Sequence, residues 1–173
     1  RIAVVTSESG AVIHDIMTIV ARRFPIVQLV LYPAQVQGDE AAKTIVAQLK
    51  RINEDGNFDT IIIGRGGGSI EDLWPFNEEI VAQAIVSSKI PVISSVGHET
   101  DTTIADLVAD LRAATPTAAA ELATPVLSDV LEHLQDLHTR LYSAQNNLIN
   151  NYKDRVQTLS QNVFLQHPER IYE

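Results

Sequence analysis

Three consecutive isoleucines run directly into a glycine-rich segment near the middle of the sequence. Residues 61–63 are all β-branched, which is typical of a strand buried on both faces of a parallel sheet. Residues 64–69 follow at once and read Gly-Arg-Gly-Gly-Gly-Ser. Glycines allow positive φ angles and bring backbone N–H groups close to a ligand, so such a segment can bind an anion. The stretch therefore predicts a buried strand that ends in an anion-binding loop.

Arg65 places a permanent positive charge inside this loop. Its planar guanidinium can bond a phosphate through two nitrogens at once. The alternative is a flexible loop that carries an exposed arginine. We favour the phosphate site, because three glycines in a row rarely follow a strand with an arginine among them. The candidate phosphate-binding residues beside Arg65 are Gly66, Gly67, Gly68 and Ser69.

The composition suits a folded protein of one domain with an appendage. The sequence has 173 residues, of which 45% are hydrophobic and 20% charged. No apolar run approaches the roughly 20 residues of a membrane span, and no signal or transit peptide is visible. The absence of cysteine excludes disulfides and thiolate zinc sites, and is compatible with a reducing compartment. We therefore predict a cytoplasmic protein without membrane contact. Because the chain starts at Arg1, directly before a strand, we expect a fragment.

The net charge of −9 argues against a general nucleic-acid binder, because affinity for phosphates depends largely on lysine and arginine. Any phosphate site must therefore be local, or must take positive charge from elsewhere.

Strand and helix patterns alternate along the first two thirds of the sequence. The predicted strands are residues 1–6, 26–32, 59–63 and 90–96, and the predicted helices are residues 11–23, 40–53 and 78–88. This alternation predicts an α/β fold with a doubly wound, mainly parallel sheet. Asn77 is predicted to cap the third helix. Trp74 and Phe76 flank Pro75, where they can pack the loop or stack on a base.

Polar sequence follows three of these strands, at residues 6–10, 64–69 and 97–101. Ligands of such sheets bind beyond the carboxyl ends of the strands, so the convergence favours an enzyme. Ser9 and Gly10 offer a second anion-binding turn at a helix start. Asp15 lies a little over one turn into that helix. On its own it favours a structural interpretation, because a carboxylate near a helix N-terminus is stabilised by the dipole.

The third polar segment contains a histidine with acidic neighbours. His98 can transfer a proton near neutral pH, and Asp101 can orient the imidazole, bind a metal or hold a water molecule. A structural loop histidine is the alternative. The spacing matches no common zinc site, whereas Mg²⁺ held by Asp15 and Asp101 stays open. Arg112 is a second cation near this edge, and Thr115 caps a helix that begins at Pro116.

The last third of the sequence has a heptad pattern. Leu127, Leu134, Leu141 and Leu148 are seven residues apart, and the register slips by one at Ile149. A helix that ends near residues 167–168 would have about 40 residues and extend about 60 Å. Such a helix is too long to pack wholly on a small domain. We predict that it pairs with another chain; the alternative is a helix folded back on the sheet.

The motifs together resemble the large subunit of bacterial exodeoxyribonuclease VII. The resemblance rests on residues 9–15 (SGAVIHD), 64–77 (GRGGGSIEDLWPFN), 96–106 (VGHETDTTIAD) and 112–121 (RAATPTAAAE). It implies a nuclease that degrades single-stranded DNA from either end into short oligonucleotides, and that tolerates chelators. No cofactor is then required, with Mg²⁺ as an alternative. By this resemblance, Asp15, Arg65, His98 and Asp101 match positions that the family uses in catalysis.

The resemblance also implies a domain organisation and partners. The family's large subunit carries an N-terminal OB-fold and a long coiled coil that binds several small subunits. We therefore expect residues 1–124 to be the catalytic domain and residues 125–173 to be part of the coiled coil, with the OB-fold absent. The expected partners are single-stranded DNA and the small subunit.

Two other functions are compatible with parts of the sequence. One is an α/β domain that binds a nucleotide phosphate, although no Walker lysine follows Gly68 and the glycine spacing departs from the dinucleotide fingerprint. The other is a non-catalytic coiled-coil scaffold, in which the heptad helix does the binding.

Overall fold

The structure is a computed structural model, and it describes residues 1–67, 71–97 and 101–161. In this part of the chain the strands are β1 (Ile2–Thr6), β2 (Leu29–Pro33), β3 (Thr60–Gly64), β4 (Val92–Ser95) and β5 (Leu111–Arg112). The α-helices are α1 (Ala11–Arg23), α2 (Ala41–Asp55), α3 (Glu79–Val86), α4 (Ile104–Val108), α5 (Pro116–Ala123) and α6 (Leu127–Ser160). A 3₁₀ helix spans Glu71–Asn77.

The strands form one parallel sheet in the order β2-β1-β3-β4-β5. This confirms the predicted α/β fold class. Strand β3 lies at the centre, and its three isoleucines are completely buried, as the β-branched run predicts. The chain runs outward from β1 in one direction to β2 and in the other to β3. The switch point between β1 and β3 is where ligands bind in sheets of this order.

Helices cover both faces of the sheet. On one face, Val12 and Ile16 of α1 and Ala119 of α5 pack against Val4 and Ile62. On the other face, helices α2, α3 and α4 pack against the opposite side chains of β1 and β3, in a cluster that includes Ala3, Ile45, Leu49, Ile61, Ile63, Val81 and Ala105. Alternation along each strand sends successive side chains to opposite faces, which is why both halves of the core are supplied by the same strands.

Strand β2 begins later than predicted. It starts at Leu29 instead of residue 26, because Val27 N–H donates to the Phe24 carbonyl (3.1 Å) in a turn that follows α1. Ile26 in this turn is exposed. Pro33 belongs to the strand, opposite Thr6, which is tolerated because β2 is at the edge of the sheet.

The prediction that Asn77 caps α3 is wrong. The 3₁₀ helix continues through Pro75 as far as Asn77, and α3 begins only at Glu79, with Glu78 as its N-cap. The Asn77 Oδ1 instead accepts the first N–H of α4, that of Ile104, at 2.8 Å. An asparagine near a helix start can therefore cap a helix that is remote in sequence, which a local pattern does not reveal.

Helix α4 and strand β5 were not predicted from the sequence. Helix α4 has five residues and β5 has two, so neither is long enough for a periodicity signal. A signal for α4 does exist, since Thr103 and Asp106 form a capping box at its start. The predicted start of α5 is confirmed: Thr115 Oγ1 accepts the Ala118 N–H at 3.1 Å, and Pro116 is the first helical residue.

Helix α6 has 34 residues, about 51 Å at the usual rise per residue, and none of them is buried. The chain divides into two compact units, Arg1–Leu127 and Ser128–Glu173. The predicted helix end near residues 167–168 lies outside the described residues, and the pairing of α6 with another chain stays a prediction, as do the domain boundaries. Among the described helices, none has the length and apolar content needed to cross a membrane.

Candidate active site

Arg65 follows β3 at the carboxyl edge of the sheet, and its side chain is only 5% exposed. Its Nη2 lies 3.1 Å from Asp72 Oδ2 and 3.5 Å from Gln37 Oε1. Asp72 belongs to the 3₁₀ helix, whereas Gln37 lies between β2 and α2. Two segments that are separate in sequence therefore hold one edge of the guanidinium. Arg65 is thus a buried and oriented side chain, not the exposed arginine of the alternative interpretation.

The other edge of the guanidinium is different. Arg65 Nη1 is also buried, and it has no hydrogen-bond partner among the described residues. A buried guanidinium donor without an acceptor costs free energy, and such groups in native proteins call for an explanation. An anion that accepts from Nη1 would supply the missing bond.

Gly64 and the glycines that follow it have different environments. A Cβ on Gly64 would lie 2.9 Å from both Ser95 Oγ and Val12 Cγ1, so glycine here allows β3, β4 and α1 to approach closely. Gly66 and Gly67 are exposed. The expected positive φ is found neither at Gly64, which still has strand geometry, nor at Gly66. Gly68 and Ser69 lie outside the described residues.

The turn predicted as a second anion-binding site lies at the start of α1. Gly10 is the N-cap of α1 and has an extended backbone, and Ser9 before it is exposed. Asp15 is exposed on the same helix, one turn beyond Val12. Because Val12 lies against Gly64 and Gly66, the first turn of α1 adjoins the loop that follows β3. These residues therefore border the switch point between β1 and β3.

Beyond β4, Gly97 lies in close contact with Asp101 and Asp106. A Cβ on Gly97 would overlap the Asp101 carbonyl oxygen and lie 2.7 Å from Asp106 Oδ2. Asp101 is half-buried. His98 lies between these residues in sequence but outside the described residues, so its predicted role stays a prediction.

Asp106 is a residue of this region to which the sequence patterns above assigned no role. It is 5% exposed, and its Oδ1 accepts from Ser94 Oγ at 2.6 Å. Its Oδ2 accepts from the Thr103 N–H at 2.9 Å and from Thr103 Oγ1 at 2.7 Å. The Thr-x-x-Asp spacing is the signal that could have identified the contact with Thr103. Nothing local to the sequence indicates the contact with Ser94.

Arg112 is exposed on the edge strand β5, opposite Ser94. Strand β4 separates it from β3 and Arg65. Arg65 and Asp101, by contrast, follow the neighbouring strands β3 and β4 on the same edge of the sheet. The polar segments that follow β1, β3 and β4 therefore all begin at the carboxyl edge of the sheet. Arg112 lies at the side of that edge, on strand β5.

Comparison with known proteins identifies the family of this chain. A family model described as exonuclease VII, large subunit, matches residues 1–173. The chain belongs to this family. A relative in Pediococcus pentosaceus is 68% identical over 173 residues, and relatives in Ligilactobacillus salivarius and Lactiplantibacillus plantarum are 66% and 64% identical. All three are named exodeoxyribonuclease 7 large subunit.

The matches cover 99–100% of this chain but only 39% of each of these three relatives. The chain thus spans about two fifths of the length of the curated relatives it matches. The family assignment agrees with the resemblance found in the motifs, and it places the Arg65 loop and the segment after β4 within an exonuclease VII large-subunit sequence.

The acidic and histidine side chains of this edge are the candidates for holding a metal ion. In residues 1–67, 71–97 and 101–161, no group of three or more histidine and acidic side chains is arranged to hold a metal ion. The Asp106 carboxylate already accepts three hydrogen bonds. His98 and Glu99 lie outside those ranges. A role for Asp15 and Asp101 as Mg²⁺ ligands therefore stays a prediction.

Trp74 and Phe76 have opposite environments. Trp74 is 67% exposed and lines a pocket of about 270 Å³, whose other lining residues are Gly38, Asp39, Glu71, Pro75 and Glu78. Phe76 is completely buried in the core. The three carboxylates around the pocket oppose the approach of a phosphate backbone. The acidic lining therefore argues against this pocket as a phosphate site.

Substitution of Gly97 by alanine is expected to destabilise the protein by about 1–3 kcal/mol, because the added Cβ overlaps backbone atoms that cannot move aside separately. The measurement is thermal unfolding of the full-length protein. Gly66→Ala is the matched control, since its Cβ would meet Val12 Cγ2 at an ordinary 3.8 Å. Equal melting temperatures for the two variants would contradict the close approach of Gly97 to Asp101.

Proposed function

We propose that this chain is the catalytic part of an exonuclease that hydrolyses phosphodiester bonds of single-stranded DNA, from either end, to short oligonucleotides. The observation that carries the proposal is the buried Arg65 at the end of the central strand, whose Nη1 lacks an acceptor among the described residues. Membership of the exonuclease VII large-subunit family supports it. So do the names of the relatives.

Arg65 would bind the scissile phosphate. Asp72 and Gln37 hold Nη2, which sets the plane of the guanidinium and leaves Nη1 to donate to a phosphate oxygen. Because Nη1 lies below the surface, phosphate binding requires a local rearrangement around Arg65. A cation already oriented by the protein stabilises the negative charge that develops on the phosphate as the bond breaks.

Hydrolysis then needs a water molecule, a base and an acid. The water oxygen attacks phosphorus, a base takes the water proton, and the bond to the leaving sugar oxygen breaks as an acid protonates that oxygen. His98 is proposed as the general acid or base, with Asp101 orienting its imidazole. Asp15 is proposed to position the water or to help hold a metal.

The proposal requires no cofactor. The described residues form no three-ligand group, so no step is assigned to a metal ion here. Mg²⁺ at Asp15 and Asp101 is the alternative, in which it would neutralise charge on the phosphate. A chelator distinguishes these two cases directly.

The proposed partners are single-stranded DNA and the small subunit. Leu134, Leu141 and Leu148 are seven residues apart on α6, and all three side chains are exposed. An exposed heptad seam of leucines supports coiled-coil pairing with another chain. The net charge of −9 means that Arg65 can supply only local positive charge, so we propose that further affinity for DNA comes from positive charge elsewhere. The longer relatives offer room for such a region. We propose that the protein acts in the cytoplasm.

The test is cleavage of end-labelled single-stranded DNA by the full-length protein, expressed with its small subunit. We expect cleavage to persist in chelator, and His98→Ala and Asp101→Asn each to lower kcat by about 10²-fold, because general acid–base catalysis contributes at least that much. Asp39→Asn, on the rim of the acidic pocket, is the matched control and should cleave normally.

Two other outcomes would change the conclusion. Cleavage that is lost in chelator and restored by Mg²⁺ would make Asp15 and Asp101 metal ligands. An inactive wild type would contradict the proposal, and stabilisation of the protein by nucleotides would then favour the nucleotide-binding domain.

A further inference from the structure

The buried carboxylate of Asp106 connects strand β4 to the start of helix α4. Ser94, which donates to its Oδ1, lies in β4 itself. Thr103, which donates to its Oδ2 twice, is the N-cap of α4. The residues between them include Gly97, whose Cα faces Oδ2 closely enough that an added Cβ would lie 2.7 Å from it. The carboxylate of Asp106 thus lies against Ser94 in β4, against Gly97 and against the N-cap residue of α4.

A capping box accounts for only part of this arrangement. In a capping box, the side chain at the third helical position bonds the backbone of the N-cap residue, as the Asp106 carboxylate does with the Thr103 N–H. The bond from Ser94 Oγ lies outside that motif, and at 2.6 Å it is the shortest of the three. It ties the helix cap to the sheet. A carboxylate needed only to begin a five-residue helix would not have to be buried against β4.

We infer that Asp106 is a positioning residue for the reaction, which holds Thr103 against β4 and thereby fixes the placement of the nearby Asp101. The inference rests on the proposed function of Asp101. Three hydrogen bonds to one buried carboxylate leave Thr103 little freedom to move relative to β4. Asp106 itself needs no contact with substrate.

Asp106→Ala removes all three bonds. We expect kcat to fall by about 10²-fold while KM changes little, because a misplacement of about 1 Å at reacting groups can cost that much. Asp106→Asn should restore most of the rate. The amide oxygen can accept both bonds from Thr103, and the amide nitrogen can donate to Ser94 Oγ, whose hydroxyl accepts as well as donates.

Two further variants separate positioning from stability. Asp110→Ala is the matched control: Asp110 Oδ2 accepts the Val92 N–H at 2.8 Å, at the opposite end of β4. It removes a carboxylate-to-backbone bond of the same kind without touching residues 95–103, so kcat should stay at the wild-type value. Ser94→Ala removes the bond to β4 and leaves the capping box, and should lower kcat several-fold. If Asp106→Ala does not fold, Ser94→Ala carries the test.

Hydrogen–deuterium exchange gives a readout that does not depend on activity. In the full-length protein with its small subunit, Asp106→Ala and Ser94→Ala should increase exchange in residues 97–103, whereas Asp110→Ala should not. Unchanged kcat and unchanged exchange in the first two variants would overturn the inference, as would an equal loss of kcat in Asp110→Ala. If the wild type does not cleave DNA, the proposed function fails, and exchange alone decides whether Asp106 holds this segment.

Discussion

Arg65→Ala is expected to lower the rate of single-strand cleavage by about 10³-fold or more, the effect of an arginine that stabilises charge on a transferring phosphoryl group. The reason lies in the geometry of the guanidinium. Asp72 and Gln37 hold Nη2, whereas Nη1 has no acceptor among the described residues. Arg65→Lys should also fail, because the three N–H donors of an ammonium sit on a flexible chain and cannot reproduce the rigid planar fork that contacts Asp72 and the phosphate together.

The measurement is kcat on end-labelled single-stranded DNA with the full-length protein and its small subunit. Arg140→Ala is the matched control, because Arg140 also pairs with an aspartate, Asp136, at 3.6 Å, but on the exposed surface of α6. It removes the same charge from the protein and should leave the rate unchanged. A rate close to that of the wild type in Arg65→Ala would remove this arginine from the mechanism.

Phe76→Ala is expected to cost about 3–5 kcal/mol of unfolding free energy, the usual range for a buried aromatic side chain replaced by alanine. Phe76 is completely buried beside Leu73 and Val81, so the cavity left behind cannot be filled by solvent-exposed groups. Globular domains are stable by only about 5–15 kcal/mol, so this loss is a large part of the total.

The same measurement on Trp74→Ala should show a change within about 0.5 kcal/mol, because surface side chains away from special features contribute little. Trp74 is 67% exposed and lies only two residues away in the same 3₁₀ helix. The pair thus compares two aromatic residues in one short segment by thermal or denaturant unfolding. Similar losses in both variants would contradict the burial described here.

Much of the fold follows from local sequence. The isoleucines of β3 are β-branched and uninterrupted, and such a run is stable only where both faces of a strand are covered. The amphipathic patterns of α1 and α2 have the period of a helix, and Thr115 with Pro116 specifies the start of α5. Each of these features depends on residues within one or two turns, which is why each could be predicted.

Other elements depend on partners that are remote in sequence. Residues 26–28 are apolar enough for a strand, but a turn after α1 removes them from the sheet. Strand β5 consists of two residues that pair with Ile93 and Ser94. Asn77 has the residue type of a cap for α3, yet it bonds α4, 27 positions further along. No periodicity in the sequence records such contacts.

The sequence by itself determined the alternation of the first four strands with α1, α2 and α3, the heptad pattern of α6 and the residue types available for phosphate chemistry at the carboxyl edge of the sheet. Only the tertiary structure decided that Arg65 is buried against Gln37 and Asp72, and that Asp106 bonds Ser94 across to β4. The physical reason is the distance along the chain over which each effect acts. Backbone preference and hydrophobic period act between neighbours in the chain, whereas the burial of a charge depends on which distant segments fold over it.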